Sequence, residues 1–198
     1  AMLAMPACAR IGAILAVVFG GFASGSLATR IDDAAPKLVV SSDAGMRGGK
    51  AVPYKDLLDE AIALAEHKPT KVLMVDRGLD KEFNKVEGRD VDYATLRAQF
   101  MDADVPVTWL ESNEPSYILY TSGTTGKPKG VQRDTGGYAV ALSSTLKYIF
   151  CGGEGETFFA TSDIGWVVGH SYIIYGPLIG GMCTIMYEGT PLRPDPGI

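Results

Sequence analysis

Alternation is the feature that most constrains this chain. Short apolar runs of strand length take turns with helix-patterned stretches, joined by brief connections. "KLVVSS" (Lys37–Ser42), "KVLMV" (Lys71–Val75) and "SYILYT" (Ser116–Thr121) read as strands, as do "ETFFAT" (Glu156–Thr161) and "CTIMYE" (Cys183–Glu188). Between them, "SLATRIDDAA" (Ser26–Ala35) has helical spacing at Leu27 and Ile31, with Ser24 or Ser26 available as cap. Val52–His67 is the clearest helix: Pro53 suits its first turn, and Leu57, Leu58, Ile62 and Ala65 share a face. "YATLRAQFM" (Tyr93–Met101) and Gly137–Phe150 are two more, while the charged stretch 76–92 reads as a surface excursion. Strands and helices in this order build an α/β fold of mostly parallel sheets with helices on both faces, through right-handed crossovers.

The amino end is the one region that competes with this reading. From Met2 to Leu27 the chain is apolar and carries one charge, Arg10. A membrane helix needs about 18 or more uninterrupted apolar residues. Here Arg10, Gly12, Gly20–Gly21 and Ser24–Ser26 divide the run, and a signal peptide would place its positive charge ahead of the apolar stretch. The expectation is a short helix ending near Gly12, followed by a buried strand over Ala13–Phe19. The chain begins inside a buried-looking segment, which suggests a piece of something longer. A net charge of −5 disfavours nucleic acid, so an anionic ligand must be caught by local geometry and local cations. Three scattered cysteines and two histidines offer no zinc spacing, and a reducing, cytoplasmic setting is expected, with no membrane partner.

One loop has the required local chemistry. "YTSGTTGKPKG" (Tyr120–Gly130) follows an apolar strand, where open α/β sheets bind ligands. Its glycines let backbone N–H groups at Gly123, Thr124 and Gly126 converge on one concave nest. Ser122, Thr124 and Thr125 add hydroxyl donors, and Lys127 and Lys129 add positive charge on either side of Pro128. The spacing is too short for GxxxxGK[ST], and Pro128 stands where Ser or Thr would be, which counts against an ordinary P-loop NTPase. No catalytic Asp with a metal-binding Asp/Asn pattern supports a kinase, which leaves a nucleotide-handling enzyme or a non-catalytic phosphate-binding module. Two further stretches stand out: the aromatic-apolar "GWVVGHSY" (Gly165–Tyr172), with the makeup of a small apolar pocket, and "RGGK" (Arg47–Lys50), two cations flanking a glycine turn.

The string "YILYTSGTTGKPKGV" resembles the signature of the adenylate-forming superfamily. "ACARIGAILAVVFGGF", "SSDAGMRGGKAVPYKDLLDEA", "TGGYAVALSSTLKYIF" and "TSDIGWVVGHSYIIYGPLIGGMCTIMYEG" are similar to its short-chain acyl-CoA synthetase branch. Within that branch "SDIGWVVGHSY" looks more like the propionyl-CoA than the acetyl-CoA synthetases. The resemblance implies an internal piece of a large amino-terminal domain, with residues 1–110 in one α/β subdomain, 111–198 in the next, and a smaller carboxyl-terminal domain downstream. It implies ATP-dependent ligation of propionate, or alternatively acetate, to coenzyme A through an acyl-AMP, with Mg²⁺ assisting. Thr121, Ser122, Gly123, Thr124, Thr125, Gly126, Lys127 and Lys129 would hold the phosphates, with Lys127 and Lys129 as the catalytic cations. Trp166, Val167, Val168 and His170 would form the acyl pocket, with His170 positioning rather than acting as a base, since a carboxylate nucleophile needs none at neutral pH. Arg47, Gly48, Gly49 and Lys50, with Val168, would meet coenzyme A. No metal ligand is expected from this segment, which is expected to need the remainder of its own polypeptide for activity.

Overall fold

A computed structural model of the chain describes residues 1–80, 82–121 and 128–190. These fall into two compact units: Ala1–Phe19 with Val105–Tyr187, and Gly20–Asp104 with the segment from Glu188. The α/β alternation holds, but the units are not the two consecutive stretches drawn at residue 110.

After α1 (Ala4–Arg10), the chain enters the unit that starts at Gly20. Its elements are α2 (Ser24–Ala34), β1 (Leu38–Ser42), β2 (Ala44–Arg47), β3 (Lys50–Pro53), α3 (Tyr54–Leu64), β4 (Lys71–Val75), β5 (Asp90–Asp92) and α4 (Tyr93–Gln99). β1, β4 and β5 form a parallel sheet in that order, with Leu38 opposite Lys71 and Val72 opposite Asp90. The third strand lies inside the stretch expected as surface excursion, because "DVD" has no apolar pattern and its ladder alone makes it a strand. Leu58, Ala61, Ile62 and Ala65 recur at helical spacing and bury one face of α3 against Ala28 and Ile31 of α2 and against Val72 and Met74 of β4. Each large member of that cluster contributes roughly 1.5–3 kcal/mol on removal from water. Neither serine caps α2: the cap residue is Ala23, and the Ser24 hydroxyl instead donates to Glu60 Oε2 at 2.6 Å, tying α2 to α3. Pro53 sits one residue earlier than expected, as the cap residue of α3 rather than inside its first turn. Lys68 Nζ donates to the carbonyls of Ile62, Ala63 and Ala65, closing the carboxyl end of α3 where the last carbonyls lack helical partners.

Two buried charges organise this unit. Lys55, fully buried, pairs with Asp59 and, at 3.0 Å, with Asp90, while Arg89 donates to both carboxylates. The Asp43 carboxylate, also fully buried, accepts from the backbone N–H groups of Arg77, Leu79 and Asp80 at 2.7–2.9 Å. It therefore holds the turn after β4 in place.

The other unit contains β6 (Pro115–Thr121), β7 (Lys129–Asp134), α5 (Thr135–Tyr148), β8 (Thr157–Phe159), α6 (Val167–Gly169), a π-helical stretch (His170–Tyr175), α7 (Gly176–Ile179) and β9 (Cys183–Ile185). β6 and β7 pair antiparallel, β8 and β9 parallel. Ala13–Phe19 is not the buried strand expected. It meets β6 at a single parallel bridge, Leu15 to Tyr117, just after the left-handed backbone of Gly12 (φ 66°) turns the chain, and Ile14 is half exposed. α5 starts two residues before the apolar pattern does, because Asp134 caps it by accepting from the Gly137 N–H at 2.9 Å. Leu146 of α5 packs over Gly176 and Gly180 of the α7 segment, where a side chain at either position would meet it. No helix among the described residues is long and apolar enough to cross a membrane.

Burial alone would raise the Asp43 carboxyl, but the surrounding backbone N–H groups outweigh it and hold the pKa below the ordinary aspartate value. Its stabilising contribution is thus complete above the unfolded aspartate's titration range and is lost as pH falls through the lower folded value. Asp43→Asn is expected to lower stability at neutral pH by about 1–3 kcal/mol. Urea unfolding between roughly pH 7 and pH 3 should show a shallower loss of stability on acidification than in the unsubstituted protein.

Candidate active site

The strand that leads into the glycine-rich loop is well anchored. Along β6, Tyr117, Leu119 and Tyr120 are buried, and Thr121 emerges at its exposed end. Ser122, Gly123, Thr124, Thr125, Gly126 and Lys127 lie outside the described residues. The chain returns as β7, with Lys129 directly opposite Thr121 in an antiparallel register. This corrects the expectation that Lys129 sits within the loop: it starts a strand, and α5 follows at Thr135. "KGVQRD" lacks an alternating apolar face and all six residues are exposed, so the backbone ladder to β6 makes this strand rather than any burial signal. Cross-strand partners project to the same side of a ladder, so the Thr121 hydroxyl and the Lys129 ammonium share one face of the hairpin. Gly130 fits because the Ile118 and Tyr120 side chains lie over it; a Cβ there would stand 2.9 Å from Ile118 Cγ2.

The aromatic-apolar stretch divides into an exposed and a buried half. Trp166, Val167 and Val168 are 41 %, 42 % and 46 % exposed. Their approach is fixed by a tight turn: Asp163 accepts from Gly165 N through its carboxylate at 2.7 Å and from Trp166 N through its carbonyl at 3.1 Å. Phe19 lies against the Trp166 ring, centroids 5.3 Å apart and tilted by 32°, and its Cα would be 2.9 Å from any Cβ at Gly165. His170 belongs to the other half. It is fully buried and does not line the exposed surface with the three residues before it. Its backbone N–H and its Nδ1 both meet the Trp166 carbonyl oxygen at 3.0 Å, which fixes the Nδ1–H tautomer and braces Trp166 from beneath. Burial pushes the imidazole pKa down against the pull of the Trp166 and Ile164 carbonyls, so the ring is neutral at pH 7.

Beneath this stretch lies a residue that sequence reasoning passed over. Tyr117, read only as part of an apolar strand, is fully buried among Tyr138, Tyr175 and His170, at ring separations of 5.2, 6.1 and 4.9 Å. The strand entering the glycine-rich stretch and the segment carrying Trp166 are thus packed on one another. Phe19 was equally hidden, since it was read as the end of a buried strand; nothing in its spacing pairs it with Trp166.

The "RGGK" cations belong to the other unit. Arg47 and Lys50 face each other across the β2–β3 hairpin, whose turn residues Gly48 and Gly49 have φ 57° and 80°. Two consecutive left-handed residues are the signature of a type I′ turn, which L-residues other than Asn, Asp and Gly seldom enter. The turn expected there exists, with a strand between it and the helix, and it presents both cations on one exposed face. Among the described residues no group of three or more His, Cys, Asp or Glu side chains could hold a metal ion.

The model of the AMP-binding enzyme family matches residues 1–198. The chain belongs to that family. It is 67 % identical over 198 residues to the propionate–CoA ligase of Salmonella typhimurium, covering 100 % of this chain and 31 % of that protein. It is 51 % identical over 199 residues to the mitochondrial acyl-CoA synthetase short-chain family member 3 of Rattus norvegicus, covering 100 % of this chain and 29 % of that protein. It is 48 % identical over 195 residues to an acetyl-coenzyme A synthetase of Novosphingobium aromaticivorans, covering 98 % and 30 % respectively. The chain therefore spans less than a third of the length of these AMP-binding relatives.

The turn before the Trp-Val-Val stretch tolerates little change. A Cβ at Gly169 would lie 2.1 Å from the Asp163 carbonyl oxygen and 2.6 Å from Ile164 Cα, both backbone atoms that cannot rotate away. Gly169→Ala is expected to cost about 1–3 kcal/mol of stability by overpacking. In a Trp109→Phe background it should also shift the emission of Trp166, the remaining tryptophan of this segment, whereas unchanged emission and thermal midpoint would contradict the packing described.

Proposed function

We propose that these residues form part of an ATP-dependent ligase that joins a short-chain carboxylate, propionate before acetate, to coenzyme A. The reading concerns a polypeptide of the relatives' full length, in which this chain is one segment. The observation that carries it is the 67 % identity, over the whole of this chain, to a protein named propionate–CoA ligase. In the first half-reaction a carboxylate oxygen bonds to the α-phosphorus of ATP and the bond to pyrophosphate breaks, giving acyl-AMP. In the second, the coenzyme A sulfur bonds to the acyl carbon, AMP departs, and the thiol proton passes to solvent. The substrates are small molecules, and the work of the protein is to position them and to offset charge as it moves onto pyrophosphate.

Each site residue has a role in this reading. Thr121 and Lys129 close the mouth of a loop in which Ser122, Gly123, Thr124, Thr125, Gly126 and Lys127 donate to the β- and γ-phosphates. Mg²⁺ would arrive with the triphosphate. Trp166, Val167 and Val168 face the acyl group, with His170 behind them. Arg47 and Lys50 meet phosphates of coenzyme A, and Gly48 and Gly49 let the backbone of the turn come close to them. A cytoplasmic setting accords with this chemistry.

Carboxylate-dependent exchange of pyrophosphate into ATP tests the reading, with acetate, propionate and butyrate compared. Propionate is expected to support the fastest exchange, and no exchange with any of the three would overturn the proposal. Lys129→Ala is expected to reduce exchange by roughly 10²-fold or more, as loss of a transition-state charge contact does. Val168→Thr trades a methyl for a hydroxyl and is expected to move the propionate-to-acetate ratio of kcat/KM toward acetate by up to about tenfold.

A further inference from the structure

Among the described strands, β2 and β3 pair only with each other, so no larger sheet fixes the hairpin that carries Arg47 and Lys50. Its base is held where the chain leaves β1. The Asp43 carbonyl accepts from the Lys55 N–H at 3.1 Å, and Tyr54 packs so closely on Gly45 that a Cβ there would stand 2.3 Å from the ring. Nearer the tip, the fixing group comes from far along the chain. The Glu188 carboxylate accepts from Arg77 Nη1 at 2.8 Å and from Nη2 at 2.7 Å, a fork-to-fork pair that sets direction as well as distance. Arg77 is itself tied down, because its backbone N–H donates to Asp43 Oδ1 at 2.9 Å.

The hairpin ladder leaves one group for Glu188 to hold. Arg47 and Lys50 close a two-residue turn and form a hydrogen-bonded pair, so the next pair, Met46 and Ala51, is of the kind whose N–H groups point out of the ladder. The Met46 N–H meets the Glu188 carboxylate: Arg77 first, and this N–H with it, hold the Glu188 pKa below the ordinary glutamate value. The contacts close a ring that runs from Asp43 along β2 to Met46, across to Glu188, through the Arg77 guanidinium and back to Asp43. The two charged side chains are 34 % and 54 % exposed, so their attraction adds little stability; what the pair supplies is geometry.

We propose that Glu188 and Arg77 are positioning residues for coenzyme A, holding the outer edge of β2 so that the Arg47 and Lys50 cations keep a fixed place from which to meet phosphate. This rests on the ligase reading given above. Neither residue touches coenzyme A; they act through the backbone of β2. The sign of one substitution separates positioning from charge. A carboxylate near phosphate-binding cations repels phosphate, so if charge alone governed the site, Glu188→Ala would tighten coenzyme A. If Glu188 holds the strand, the same change weakens it.

The test uses the full-length protein with Glu188→Ala, Arg77→Ala and the double variant. Each single change is expected to raise the KM for coenzyme A roughly 3- to 10-fold, the scale of one well-formed surface ion pair with its hydrogen bonds. Propionate-dependent exchange of pyrophosphate into ATP, which uses no coenzyme A, is expected to stay unchanged. Arg77→Lys keeps the charge without the fork and is expected to recover only part of the loss. The double variant is expected to be no worse than the poorer single, because both changes open the same ring. Backbone amide exchange, read by mass spectrometry on the peptide spanning β2 and β3, should quicken in Glu188→Ala.

An unchanged or lowered KM for coenzyme A in Glu188→Ala, multiplying effects in the double variant, or an equal fall in pyrophosphate exchange would overturn the proposal. Should Arg77→Ala fail to fold, Glu188→Ala decides by itself. An unsubstituted protein that exchanges pyrophosphate with no short carboxylate would instead overturn the ligase reading. Amide exchange would then decide whether the ring holds the hairpin, and unchanged protection in Glu188→Ala would show that it does not.

Discussion

The burial of Tyr117 is the contact on which the putting-together of the candidate site depends. Its ring fills the space between α5, through Tyr138, and the helical segment that begins at Val167, through His170 and Tyr175. A strand can present a loop accurately only if something prevents it from sliding along its neighbour. The β6–β7 ladder fixes position across the hairpin, and the aromatic cluster fixes it perpendicular to that. Aromatic edge-to-face pairs such as Tyr117–Tyr138 add about 0.5–1.5 kcal/mol beyond the area they bury, and they do so with a preferred geometry. Position and orientation are thus supplied by different interactions.

The other unit solves a comparable problem with charge instead of rings. Lys55, Asp59, Arg89 and Asp90 form a closed set in which each member has an opposite partner, so the desolvation each suffers is offset locally. That set joins α3 to the loop before β5 and to β5 itself, while Asp43 gathers the turn after β4. The hairpin bearing Arg47 and Lys50 grows from between these two anchors in sequence, which leaves its glycines free to adopt left-handed backbone while the strands beside them stay in register.

Sequence reading recovered what periodicity and turn chemistry encode. The apolar stripe of α3, the strands β1, β4 and β6, and the glycine turn at Gly48–Gly49 all follow from local pattern. What it missed has no local pattern to read. β7 is wholly exposed and polar, and becomes a strand only because β6 offers it a ladder. Ala13–Phe19 has every mark of a buried strand, yet one rung of pairing is all that forms, since the backbone turn at Gly12 lies outside any hydrophobicity count. The resemblance implies one pocket for Trp166 and His170, yet Trp166 is the extended cap residue ahead of the helical segment and is partly exposed, whereas His170 lies within that segment and is buried. Tyr117 and Phe19 acquire their meaning from partners 21 or more positions away, a separation that no spacing rule spans.

The buried lysine has a chemical consequence of its own. An amine nucleophile reacts with activated acyl groups only when it is reachable and unprotonated, and Lys55 is sealed from solvent and held as one half of two ion pairs. Lys50 and Lys129, by contrast, stand in the open. A protein that forms acyl phosphoric anhydrides, as the ligase proposed above would, is bathed in a reagent able to acylate its own side chains. In this chain the exposed amines would be marked first, and Lys55 only in molecules whose α3–β5 anchor had opened, so the mark at that one position would serve as a clock for local unfolding.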